Sequence, residues 1–444
     1  TGDTIGCSLD CGSGELRFYK NGVDQGVAKT IIADYRACFA VSNFGSSGQW
    51  KVNFGQKPFK FPPPDGFQPL NTANTRPETV IARPDQYVGI VTYTGNDATS
   101  HSIKGLNFGT KPDFVWIKNR DQDEKNILHD TVRGVGDVLY TTSTQGSDTG
   151  SPYTDRYQSF DFNGFTVGTT HSGTNSDGDD FVAWCWRAGG SSNTFNVDGV
   201  GYASAAAAGL TGGTITPSGA SVGTKQGFSI IKYDGDGNDA TIPHGLLQTP
   251  TFIIKKFMGG TSSWDAWTPS LSSNKRMTLN TSDEESATTS YQSVNATTFD
   301  VHAGNNDDGV SMIAYLWHDV PGLQKFGGYA GSSGKTFVEL GFRPALLVIK
   351  FYDGTDVGSH AGWKVIDNQR NKFNPSGIAQ KLEWNTEQNE NGGDTISTSE
   401  GKVDFLSNGF RIIDNHAPFN SSGRNYIYMA WAEAPSVDLF GGGA

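Results

Sequence analysis

The chain has 444 residues, a formal net charge of −12 and 18% charged residues, with 57 glycines and 12% aromatics. That length predicts three or four domains of about 100–200 residues each, and this composition predicts short strands and many turns rather than helices. The acidic balance argues against nucleic acid, which calls for clustered Lys and Arg, and no apolar run approaches the roughly 18 residues of a membrane helix, so no membrane insertion is expected.

Residues 1–61 open with Ile5, Cys7 and Leu9 on one face of a strand. Leu16 to Lys20, Asn21-Gly22 and a return through Val23 predict a tight hairpin, because such a turn requires positive φ at both central residues. No basic segment followed by an apolar one marks a secretory signal, although a leader could have been lost before Thr1. Cys7, Cys11, Cys38 and the distant Cys185 make no disulfide framework. Cys7-x3-Cys11 lacks zinc-spaced partners beyond Cys38, so buried free thiols are expected, in keeping with a reducing cytosol.

The phrases Gly2-Asp3-Thr4-Ile5-Gly6-Cys7-Ser8-Leu9-Asp10, Leu16-Arg17-Phe18-Tyr19-Lys20-Asn21-Gly22 and Val52-Asn53-Phe54-Gly55 resemble the SPRY family of concanavalin-like β-sandwiches. The resemblance covers the later part of such a domain, which implies that its earlier strands would precede Thr1. Half a sandwich would expose sheet edges and an apolar face, so a longer polypeptide or a second chain is expected to complete it. Residues 62–86, opening with Pro62-Pro63-Pro64, read as a Pro-rich spacer.

From there the same signals occur three times. Tyr93-Thr94-Gly95, Tyr233-Asp234-Gly235 and Tyr329-Ala330-Gly331 each lead to a Gly-apolar step at Gly105-Leu106, Gly245-Leu246 and Gly341-Phe342. A strand then follows Pro112, Pro250 or Pro344 and ends near Lys118, Lys255 or Lys350, and a late strand closes each copy at Trp186, Trp317 and Trp431. Ordered repetition of this kind predicts an array: all-β, tandem β-sandwich (jelly-roll or concanavalin-like) modules at 87–187, 227–320 and 321–436. A Gly/Ala/Ser-rich linker or arm occupies 188–226, and a Gly-rich tail 437–444. Because the repeated strands are apolar on both faces, the tryptophans are expected mainly in cores, which leaves function to loops.

Chemistry has weak support in the residue pattern. Asp177-Gly178-Asp179-Asp180, Asp283-Glu284-Glu285 and Asn305-Asn306-Asp307-Asp308 would suit the carboxylate pair of a glycosidase, but they also read as turns. Asp234-x-Asp236-x-Asn238 has the opening spacing of a calcium loop, yet Asp239 and Gly245 stand where Gly and Glu are needed; calcium stays open as a cofactor, and no other is expected. No zinc-protease, serine-hydrolase or phosphate-loop motif occurs, so no catalytic residue is assigned and the protein is read as a non-enzyme. His129-Asp130 beside Arg133 reads as a polar pocket or a solvated loop. Trp264, Trp267, Trp363 and Trp384 lie in polar surroundings and are candidate stacking platforms for a glycan, or plugs at the sandwich ends.

The phrases Pro112-Asp113-Phe114-Val115-Trp116-Ile117-Lys118-Asn119-Arg120, His129-Asp130-Thr131-Val132-Arg133-Gly134, Val182-Ala183-Trp184-Cys185-Trp186 and Ala432-Glu433-Ala434-Pro435 resemble β-sandwich repeats in structural proteins of marine tailed bacteriophages. That resemblance implies a virion component made in the host cytoplasm: a tail fibre, spike or surface appendage, partnered by other virion proteins. A homotrimer and attachment to a host-surface glycan are expected by the same analogy. The alternatives are a glycan-binding adhesin, a capsid decoration protein or a polysaccharide depolymerase. The second and third copies lack His-Asp-Thr-Val-Arg-Gly, so the role of that loop is expected in the first copy alone.

Overall fold

A computed structural model describes residues 2–10, 13–30, 50–55, 57–64, 66–67, 69–70, 80–149, 156–168, 171–332, 334–353, 362–370, 374, 381–390, 403–413 and 417–434. The fold is nearly all β, of sandwich type, and forms two compact units, Thr1–Glu78 and Thr79–Ala444.

The first unit is an antiparallel meander of Ile5–Leu9, Glu15–Lys20 and Val23–Thr30. Asn21 (φ 50°) and Gly22 (φ 84°) form the predicted turn, which sets Lys20 opposite Val23. The face carrying Ile5 and Cys7 is not buried: Ile5 is 49% exposed, and Phe18, Val23 and Val27 are exposed too. The expectation of a buried thiol is therefore corrected at Cys7, which lies on the surface. Cys185 is buried, and Cys11 and Cys38 fall outside the described residues.

Among the described residues the second unit contains three large sheets, antiparallel but for one parallel pair in the middle one (Phe195–Val197 with Gly219–Gly223), and they share one pairing rule. Asp180–Trp186 lies between Val88–Thr94 and Phe114–Asn119; Ser311–Trp317 lies between Phe228–Asp234 and Phe252–Phe257; Asn425–Ala432 lies between Gln324–Ala330 and Pro344–Phe351. These strands are apolar on both faces because both faces are covered. On the outer side each packs against a small sheet: Val115 and Ile117 with Ile103 and Phe165, Ile231 and Ile253 with Ile242 and Phe299, Leu347 and Ile349 with Val338 and Phe410. On the inner side the three sheets share one core, holding Phe114, Trp116, Trp184 and Trp186, then Phe228, Ile254 and Trp317, then Leu346, Val348 and Trp431. Within 188–226, Phe195–Val197, Val200–Tyr202 and Gly219–Gly223 extend the middle sheet to nine strands.

Trp186, Trp317 and Trp431 hold the same register position, opposite Phe114, Phe252 and Leu346. Their rings meet one another at centroid distances of 5.2, 6.4 and 6.4 Å, so one indole from each sheet meets at the centre.

The junctions between sheets also follow one rule. One residue before a short strand of each sheet, a side-chain N–H donates to a carbonyl of the neighbouring sheet: Asn126 Nδ2 to Glu383 O (2.9 Å), Trp264 Nε1 to Tyr140 O (3.0 Å) and Trp363 Nε1 to Thr278 O (3.2 Å). Three fully buried lysines run the same way round: Lys118 Nζ to Glu387 O (2.6 Å), Lys256 Nζ to Thr144 O (2.9 Å) and Lys350 Nζ to Ser282 O and Asp283 O (both 2.9 Å). First reaches third, second reaches first and third reaches second, so the contacts close into a ring. Burial lowers these amines to about 8, 8 and 7, because a desolvated ammonium is disfavoured even when carbonyls receive its protons.

Candidate functional site

Three of the four candidate stacking tryptophans are not at the surface. Trp264 and Trp363 are 0% exposed and Trp384 is 1% exposed, so no sugar reaches them, and the platform reading is corrected there. Trp264 and Trp363 bridge sheets through their indole N–H, and Trp384 stacks on Trp116 at 4.2 Å. Polar neighbours in sequence hid their burial, because a residue at the edge of a strand, just before it for Trp264 and Trp363 and just after it for Trp384, can turn inward while its loop stays wet. Trp267 is partly exposed and stacks on Tyr291 at 5.9 Å.

His129, Asp130 and Arg133 likewise form no solvated loop: all three side chains are buried. Asp130 Oδ2 receives Arg133 Nε (2.5 Å) and Tyr315 Oη (2.7 Å), and Arg133 also donates to Leu128 O (3.0 Å). Burial, reinforced by Arg133, holds the His129 pKa well below its ordinary value. The expectation that this loop is peculiar to one copy is corrected as well. Asp367 Oδ2 receives Arg370 Nε (2.6 Å) and Trp184 Nε1 (3.1 Å), while Arg370 donates to Val365 O (3.1 Å). The readable signal was Asp-x-x-Arg at a strand end rather than the six-residue phrase.

At one end of the middle sheet, the turn at 235–238 meets the loop at 302–310. Gly237 N–H donates to Asn306 O (2.7 Å), and Asn306 Nδ2 donates to Asp236 Oδ1 and Asn238 O (both 2.8 Å). Asp236 Oδ1 also caps Asn238 N–H (3.0 Å), and Asp234 Oδ1 receives Ser311 Oγ (2.5 Å). The calcium-like oxygens thus serve their own turn, and among the described residues no group of three or more His, Cys, Asp or Glu is arranged to hold a metal. The Tyr-x-Gly signature has its cause here. A Cβ on Gly235 would lie 2.3 Å from Asp307 O, and one on Gly95 or Gly331 would lie 2.0 Å from Ser176 O or Ser421 O, so the loop before each closing strand leaves no room for a side chain.

Beside these loops is a polar cleft of about 130 Å³, lined by Lys255, Phe257, Thr261, Ser262, Ser263, Asp265, Gly304, Asn305 and Asp307. Its floor is a charge chain with buried Lys255 and Asp265 and half-buried Arg276: Arg276 Nη1 contacts Asp265 Oδ1 (2.5 Å), Lys255 Nζ lies 3.5 Å from Asp265 Oδ2, and the same amine donates to Asn305 O (2.8 Å). Burial lowers the lysine pKa, and Asp265 partly offsets that. In the other two sheets the register position of Lys255 holds Ile117 and Ile349. Tyr93 and Tyr329 donate their hydroxyls to Thr174 O (2.8 Å) and Phe419 O (2.6 Å). Tyr233, the corresponding residue of the middle sheet, is fully buried with no partner for its hydroxyl among the described residues, and the Tyr291 hydroxyl has none either. Sequence reading singled out Asn305 and Asp307 only within a turn-like acidic run and missed the cluster, because its members come from several separate strands and loops.

Comparison with known proteins bears on both units. A SPRY domain model matches residues 1–57. E3 ubiquitin-protein ligase RKP of Arabidopsis thaliana is 42% identical over 78 residues, which is 17% of this chain and 6% of that protein. ATP-dependent RNA helicase DDX1 of Xenopus laevis is 43% identical over 72 residues, 16% of this chain and 10% of that protein. The chain thus spans a tenth or less of the length of either relative. No solved structure matches. The ring of three sheets falls within one further match: the model described as "Domain of unknown function (DUF7483)" covers residues 83–435, most of the chain, and the protein belongs to that family.

Proposed function

We propose that this protein is a bacteriophage virion structural component, a tail fibre, spike or surface appendage, that contributes to attachment at the host surface. The observation that carries the reading is the single core shared by three large sheets, with its ring of like contacts. Three repeated sandwich modules that bury their broad faces against one another make a rigid block, and they leave loops as the outward surface. In this reading the threefold arrangement expected of a homotrimer is supplied by three modules of one chain, and self-association uses faces other than the tryptophan-lined ones. The resemblance to virion proteins supplies the setting, and the role is structural rather than catalytic.

Antibodies raised against the purified protein, applied to intact virions in electron microscopy, test the reading. Labelling of the tail or capsid surface is expected; absence of the protein from purified virions overturns it. A second reading, a glycan-binding adhesin, is favoured by one feature, the polar cleft of the middle sheet, and is compatible with the first.

A further inference from the structure

We infer that the cleft over Lys255 and Asp265 binds one uncharged pyranose unit of a surface glycan. This rests on the attachment reading and names the site and the sugar class it would use.

The first support is the cost of the arrangement. Lys255 is 4% exposed and Asp265 6%; the register of Lys255 holds Ile117 and Ile349 in the other two sheets, while that of Asp265 holds Ile127 in the first and Lys364, itself buried against Glu383, in the third. Burying such charges disfavours the fold even when they are paired, and the other two sheets close without Lys at the register of Lys255. The unpartnered hydroxyls of Tyr233 and Tyr291 belong to the same departure, since both groups feel the Asp265 charge. Features that cost stability and serve no packing need point to binding.

The second support is the chemistry of the lining. An ammonium has three N–H donors, and Lys255 has two partners, Asn305 O and Asp265. Thr261, Ser262 and Ser263 add hydroxyls that donate or accept, and Asp307 adds a carboxylate. That mixture suits the hydroxyls of a sugar ring. The charges select among sugars. Asp265 is already matched by Lys255 and Arg276, so the floor leaves no strong site for a cation. The exposed carboxylates of Asp236, Asp239, Asp307 and Asp308 occupy the adjoining loops and repel an acidic sugar. About 130 Å³ is the space of about four waters at roughly 30 Å³ each, a scale that admits a single sugar ring partly seated in the cleft and not an oligosaccharide.

The test is calorimetric titration of the full chain with methyl glycosides of glucose, galactose and mannose, against glucuronate and glucosamine. The variants are Lys255→Met and Thr261→Trp, the latter at an exposed lining position where a bulky ring fills the cleft. Saturable binding of a neutral glycoside is expected, weakened at least about tenfold by Lys255→Met, the scale of one charge-assisted hydrogen bond, and abolished by Thr261→Trp while the melting transition is kept. Full-affinity binding by Thr261→Trp overturns the site and leaves the attachment reading standing. Preference for glucuronate or glucosamine overturns the sugar class. Failure of the wild type to bind any glycoside here or on a glycan array overturns the inference, whereas virion labelling decides the attachment reading separately.

Discussion

Replacing Trp186 with Ala should destabilise all three large sheets together. The side chain is 1% exposed and meets Trp317 at 6.4 Å, Trp431 at 5.2 Å and Phe114 at 5.2 Å. Loss of a buried tryptophan to alanine costs about 3–5 kcal/mol through lost transfer energy and the cavity left behind. Each aromatic pair contributes about 0.5–1.5 kcal/mol beyond area, and two of the three pairs reach into other sheets, so the upper end of that range is expected. Guanidinium unfolding, followed by near-UV circular dichroism and tryptophan fluorescence, reads the effect. One shared transition should move to lower denaturant for Trp186→Ala, and a double-mutant cycle between Trp186 and Trp431 should show about 1 kcal/mol of coupling. Phe165→Ala, in the outer core of the first sheet, gives the comparison of a similar loss with no partner across the ring. A first sheet that melts alone while the other two keep their signal, or zero coupling in the cycle, would refute the shared core.

Stability should rise between about pH 7 and 9.5. Lys118, Lys256 and Lys350 have folded values near 8, 8 and 7 against 10.5; within that window the unfolded chain holds more protons, so raising the pH favours the fold, and melting temperatures of the three Lys→Met variants should show a shallower slope. Tyr315→Phe removes one donor from the buried Asp130 pair and should cost about 1–2 kcal/mol, while Arg133→Met strands the carboxylate and should cost about 3–5 kcal/mol by denaturant titration. Gly331→Ala places a methyl 2.0 Å from Ser421 O and should cost more than about 2 kcal/mol, whereas Gly334→Ala, with nothing within 4 Å, should stay within about 0.5 kcal/mol. The Cys185 thiol, buried and pushed up by desolvation, should resist a thiol reagent until unfolding, while exposed Cys7 reacts at once.

Local chemistry made much of this legible from residues alone. Asn21-Gly22 permits few backbone paths, and the Tyr-x-Gly openings mark glycines that a carbonyl oxygen crowds, so both could be read from short phrases. What the sheets do to one another could not. Asn126, Trp264 and Trp363 occupy one position in three sheets and make one kind of bond, yet an amide and two indoles share no sequence signature. The same limit applies to the cleft: Lys255 read as the end of a strand and Trp264 as a wet aromatic, and only pairing register shows which faces the interior. The Asp-x-x-Arg pairs were legible in principle, since Asp130/Arg133 and Asp367/Arg370 keep their spacing while the intervening residues differ.

The ring has a consequence for how the protein is made. Trp186 leaves the ribosome about 250 residues ahead of Trp431, which it must meet at the centre. At about 5–20 residues per second, that is on the order of 12–50 s during which the first sheet shows its tryptophan face to solvent. Codon choice and chaperone supply over that interval, more than final stability, should govern the yield of folded protein.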